Sequence, residues 1–157
     1  MTPKIVLEPT EELLTIDECR LHLRVDPLEI DSDDVGTHPD DELIMALQTA
    51  AREHCEAFLG LSLVPYTYEV ALSSFPTDND GAIELPMGPV TGIVSVTVGT
   101  ESDALMDPEG YVLDDFSVPN RLLPVGGSWA SAVDSTNAIR IIYTAGYEAD
   151  ISDGQTI

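Results

Sequence analysis

The chain predicts an α+β fold: an N-terminal helical hairpin followed by a small antiparallel β-sheet or sandwich. Three observations carry this. Apolar residues recur at three- and four-residue steps in two early segments. After Leu61 the period changes to two. The alternating segments that follow are short and separated by close turn signals, which favours antiparallel neighbours.

Residues 1–14 read as an extended arm. Thr15-x-x-Glu18 is a capping box, with Asp17 also in the positive first turn, so a helix opens there. It ends near Val25, because Pro27 follows. Residues 26–41 form an acidic loop containing Pro27, Gly36 and Pro39. A second helix runs over residues 40–59, headed by Asp40, Asp41 and Glu42 and stopped by Gly60. Leu43, Ala46, Leu47, Ala50, Ala51 and Phe58 form its apolar stripe. Leu43, Leu47, Ala50 and Phe58 are therefore expected as the core of the hairpin.

Tyr66, Tyr68, Val70 and Leu72 alternate with Thr67, Glu69, Ala71 and Ser73 as a half-buried strand. Asp78-Asn79-Asp80-Gly81 and Pro86-Met87-Gly88-Pro89 are turns flanking a short strand with Ile83 and Leu85. Further strands are expected at residues 93–98, around Tyr111 and Leu113, at 121–125, and through Ile139, Ile141 and Tyr143. The organisation is thus an arm (1–14), a helical hairpin (15–62), a β domain (63–147) and a tail (148–157).

Charge is the strongest compositional signal. There are 29 Asp plus Glu against 6 Lys plus Arg, a formal net charge of −23 on 157 residues. Nucleic-acid binding by displacement of counterions needs Lys and Arg, so phosphate gripping is disfavoured. Two readings stay open. One is a chain that works in molar salt, where the Debye length is about 3 Å and carboxylates hold water. The other is a negative surface that DNA passes without sticking. No run approaches the roughly 18 apolar residues of a membrane helix, so no membrane role is expected. The opening MTPKIVLEPTEELL lacks the apolar core of a signal peptide.

Candidate chemistry is sparse. Asp31-x-Asp33-x-Val35-Gly36, with Glu42 at the twelfth position, partly matches a calcium loop. Val35 replaces an oxygen ligand and Pro39 interrupts the exit, so the segment reads as a solvated acidic loop. His22, His38 and His54 make no zinc-ligand spacing. Cys19 and Cys55 read as free buried thiols, with a disulfide between the helices not excluded by spacing. Cys55 beside His54 lacks the positive surroundings of an activated thiolate. Trp129, after Gly126-Gly127-Ser128, is either packed over a loop or an exposed partner anchor. No catalytic residue, metal site or cofactor is expected, and the chain is not read as an enzyme.

The order of the pieces resembles the head–tail connector, or adaptor, family of long-tailed phages and their archaeal counterparts. LTIDECRLHLRVD is similar to that family's opening helix, and DDELIMALQTAAREHCEAFLGLSLV to its second. IELPMGPVTGIVSVTV is similar to its strand, Pro-rich turn and strand. DPEGYVLDD, RLLPVGGSWA and IRIIYTAGY match its later strands and closing Gly-Tyr. The resemblance covers about residues 13–147. It implies a homo-oligomeric ring of about a dozen copies. That ring would lie between the portal protein and a stopper or tail-completion protein, around the DNA exit channel. It also implies a place in the virion at the head–tail junction after assembly in the host cytoplasm. Asp31, Asp33 and Asp34 are the candidate channel- or solvent-facing rim, which DNA passes without specific binding. The family's Pro-started C-terminal helix has no counterpart before Ile157, which departs from the pattern. The alternative is an acidic protein-binding module, in one version calcium-dependent.

Overall fold

The computed structural model describes residues 1–25, 38–99, 104–129 and 135–147. The chain divides into a β unit of Met1–Pro9 with Gly60–Ile157 and a helical unit of Thr10–Leu59. The first residues therefore belong with the β unit: Lys4–Leu7 forms strand β1, which the alternation rule missed in so short and exposed a segment.

In the helical unit, α1 (Ile16–Leu23) opens at Thr15 as expected. The Glu18 N–H donates to the Thr15 hydroxyl at 3.2 Å, and the Thr15 N–H donates to the Glu18 carboxylate at 2.7 Å. These bonds satisfy donors that have no partner inside the helix. They also hold the Glu18 carboxyl below its ordinary range, chiefly through the Thr15 N–H. The second helix, α2, spans Asp41–Leu59 and stops before Gly60.

The face that α2 turns inward differs from the expected one. Its buried residues are Asp41, Ile44, Arg52 and Glu56. Leu43, Leu47, Ala50 and Phe58 are exposed, Leu47 at 58% and Phe58 at 85%, so they do not form the hairpin core. At 3.6 residues per turn the two sets lie on roughly opposite sides of the helix. The cause is a set of charge-assisted hydrogen bonds. Arg52, its side chain 5% exposed, donates to Glu12 at 2.7 Å and to Glu56 at 2.8 Å. Arg20 on α1 forms a two-pronged pair with Asp41, its Nε donating at 2.8 Å. Arg52 lowers the pKa of Glu12, and Arg20 lowers that of Asp41. Gln48 adds a 2.6 Å bond to the Leu14 carbonyl. Binary patterning places leucines inward, but paired ions with fixed geometry outweigh it here. Cys19 is buried and Cys55 exposed, both as free thiols, so the expectation of two buried cysteines holds only for the first.

In the β unit, the further strands are β2 (Tyr66–Leu72), β3 (Ile83–Glu84), β4 (Val90–Val98), β5 (Ala104–Leu105), β6 (Tyr111–Asp114), β7 (Arg121–Pro124) and β8 (Ile139–Ala145). They form two antiparallel sheets, β1-β2-β8-β4-β5 and β3-β7-β6. The fold is α+β, as expected. The period-two pattern of β2 and β8 puts Tyr66, Tyr68, Val70, Ile139, Ile141, Tyr143 and Ala145 in the core. Ile83, Leu85 and Leu122 of the smaller sheet's segments join the same cluster. The buried phenols find partners: Tyr68 meets the Ser62 hydroxyl, and Tyr143 donates to the Pro86 carbonyl, both at 2.8 Å. Gly146 closes β8 with φ +121, and a Cβ there would lie 2.0 Å from the Val64 carbonyl oxygen. Only glycine fits that position.

The inverted helix gives an inverted mutational expectation. Arg52→Ala strands Glu12 and Glu56 and should cost about 3–5 kcal/mol. Leu47→Ala removes an exposed side chain and should cost below about 0.5 kcal/mol in the monomer. Urea unfolding followed by circular dichroism checks both. Equal losses, or a larger one for Leu47→Ala, would contradict this placement.

Candidate assembly surfaces

Three surface features distinguish the chain. The first is the outward face of α2, where Leu43, Leu47 and Phe58 are exposed. Leu43, Leu47, Ala50 and Phe58, expected as hairpin core, are thus exposed among the described residues.

The second is the tip joining β6 to β7, residues 115–120. Phe116 is 94% exposed and Val118 93%. Two large apolar side chains in water would ordinarily be placed on a loose loop, but this one is braced. The Asp114 carboxylate accepts from the Ser117 hydroxyl and from Arg121 Nη2, both at 2.6 Å, and from the Phe116 N–H at 3.3 Å. Buried Asn120 donates to the carbonyls of Asp115 and Ser117, at 3.0 and 3.2 Å. Its Oδ1 accepts from the Val90 N–H at 2.8 Å, tying the tip to the start of β4. The packing leaves no room for a side chain at position 88, where a Cβ would lie 2.8 Å from Asn120 Oδ1. Asp114 is the hub of this network. A signal was present: Phe and Val interleaved with Asp, Ser, Pro and Asn, in a stretch too polar to be a strand.

The third is a cleft of about 620 Å³ lined by Phe75, Pro76, Thr77, Asp80, Gly127 and Trp129, among others. Trp129 stacks on Phe75 with ring centroids 4.4 Å apart and planes within 5°. Its indole N–H donates to the Gly81 carbonyl at 2.6 Å. Gly81 has φ +73, and a Cβ there would come within 2.9 Å of the indole nitrogen, so the glycine lets the ring lie flat. Trp129 is therefore a half-buried wall rather than a protruding side chain.

Asp31, Asp33 and Asp34, and the partial calcium motif they belong to, lie outside the described residues. Glu42, its twelfth position, is exposed on the first turn of α2. Among the described residues, no cluster of His, Cys, Asp and Glu could hold a metal ion, and no helix is long and apolar enough to cross a membrane.

The brace has a pH signature. The Ser117 hydroxyl, and then the Arg121 guanidinium, hold the Asp114 carboxyl down to about 2, against an ordinary 3.8. A depressed carboxyl stabilises the fold above its unfolded pKa, and this contribution disappears as pH falls through the folded value. The melting-temperature gap between the wild type and Asp114→Asn should thus be open at pH 5 and close between about pH 4 and pH 2. A gap independent of pH would show that Asp114 is not the ionised hub of the tip.

No protein-family model matches the chain, and no curated protein matches it by sequence. Solved structures do match. One is a chain from the virion of a native gene transfer agent (GTA) particle, with 19% identity and a TM-score of 0.69 over 93% of this chain and 72% of that one. A second is a chain from the neck of an empty GTA particle computed with C6 symmetry, with 19% identity and a TM-score of 0.70 over 93% and 71%. A third is from the neck of a native GTA particle computed with C12 symmetry, with 18% identity and a TM-score of 0.66 over 95% and 71%. At these identities the likeness is one of fold, and it spans both the helical and the β unit.

Proposed function

We propose that the chain is a neck component of a phage-like particle, and more narrowly an adaptor subunit forming a ring between the portal protein and the stopper or tail-completion protein. The observation that carries this is the fold match to neck chains over 93% of the length. The outward apolar face of α2 supports it, because a ring seam would bury that face. A count of about twelve copies fits a repeated flank-to-flank contact that closes by rotation, and one of the similar chains comes from a neck computed with C12 symmetry. The role is structural and needs no catalytic group.

The charge sets the conditions. Copies each carrying −23 repel in dilute buffer, so assembly should require salt or a portal ring as template. Raising KCl from roughly 0.1 M to 2 M should raise the melting temperature and convert monomer to a ring in sedimentation. A strictly monomeric mass at the upper salt, with no binding to a portal ring, would remove the adaptor assignment. A melting temperature flat across the range would remove the high-salt reading of the acidity. Within the ring, Asp31, Asp33 and Asp34 are proposed as a rim that repels passing phosphates. Replacing the three by Lys should leave folding intact and slow DNA exit from assembled particles. Unchanged exit would take the rim role from this loop alone.

A further inference from the structure

The tip and the cleft sit at opposite ends of one short sheet. Asp114 pairs with Arg121 at the end that carries Phe116 and Val118. Tyr111 pairs with Pro124 at the other end, and Gly127 and Trp129 follow Pro124. A Cβ on Gly81, the residue that receives the Trp129 N–H, would lie 3.3 Å from the Pro124 ring. One end of the sheet therefore projects apolar side chains, and the other recesses an aromatic wall.

We propose that Phe116 and Val118 of one copy seat in the Phe75–Trp129 cleft of the next, a head-to-tail contact that deepens, and rests on, the ring assignment. Three observations choose a second copy as the occupant. The two features are unlike and complementary, which is what a heterologous repeat needs, whereas an isologous pair would need one self-complementary patch. The cleft, at about 620 Å³, admits an aromatic ring and an isopropyl group together. The net charge of −23 means that copies must meet through uncharged surface, and the tip and cleft each have an apolar centre. Asp115 on the tip and Asp80 on the cleft rim are both acidic. The contact should therefore strengthen with salt. The brace around Asp114 and Asn120 pre-orders the tip, so little loop freedom is lost on docking.

Trp129 is the only tryptophan in the chain, so its emission reports on the cleft directly. The test compares wild type, Phe116→Asp/Val118→Asp and Thr77→Lys by sedimentation and tryptophan emission across a concentration series in high salt. Phe116, Val118 and Thr77 are exposed, so the variants should melt as the wild-type monomer does. The wild type should shift its emission to shorter wavelength as it assembles, because docking removes water from the indole. Each variant should need at least about tenfold more protein to assemble. The double variant should show no emission shift alone, and should recover one when mixed with Thr77→Lys, whose tip is intact. A wild type that assembles without an emission change, or a double variant that assembles at wild-type concentration, would overturn the contact while leaving the ring standing. Normal self-assembly of the double variant with lost portal binding would assign the tip to the portal and equally overturn the proposal. A wild type that never assembles would remove the ring and this contact together.

Discussion

Arg52 lies beneath Glu12 and Glu56 with almost no exposure, and the layout of the helical unit follows from that placement. An arginine buried with two carboxylates is stable only while its donors are satisfied in a fixed geometry. Arg20 applies the same constraint at the other end of α2, through Asp41. Together they fix which side of α2 faces inward. The leucine-rich side has only the outside left. In a chain with 6 basic residues for 29 acidic ones, committing Arg20, Arg52 and Arg121 to internal pairs leaves few cations for surface contacts.

The surface follows from this economy. Acidic side chains outnumber Lys and Arg by 29 to 6. The exposed apolar side chains include the leucines on the outward face of α2 and Phe116 and Val118 on the β6–β7 tip, alongside others such as Leu7, Leu21 and Leu105. The acidic parts hold solvent and repel phosphate and other copies. The apolar parts supply attraction wherever that repulsion is screened. Exposed apolar patches of this kind mark interaction sites in folded proteins, and in a ring they would be buried. Arg121 does at the tip what Arg52 does in the helical unit: it holds a carboxylate whose other bonds shape the backbone carrying Phe116. In both places an internal ion pair sets the position of an apolar surface.

Much of the fold was legible in the sequence because local rules governed it. The Thr15–Glu18 capping box, the Gly60 stop and the alternation through β2 and β8 all depend on neighbours within a few residues. Strands β1 and β5 were not legible, since four and two exposed residues carry too little alternation to register. The inward face of α2 was not legible for a different reason. Its stripe of Asp41, Ile44, Gln48, Arg52 and Glu56 looks like a solvated face until Glu12 and Arg20 arrive from elsewhere in the chain. Trp129 was visible as a candidate, but its stacking on Phe75 and its bond to Gly81 join residues far apart in sequence. Phe116 and Val118 lie among turn residues, where apolar side chains have no periodicity and only their interleaving with polar residues marks them.

The central claim is that α2 presents its leucines outward in the single chain and buries them on assembly. Thiol reactivity measures this directly. With Cys19 and Cys55 replaced by Ser, Leu47→Cys and Ile44→Cys would each be labelled in dilute low-salt buffer and again in high salt after assembly. The account requires Leu47→Cys to react fast in the monomer and be protected in the assembly, with Ile44→Cys protected in both. A protected Leu47→Cys in the monomer, or one still fully reactive in the assembled particle, would contradict it.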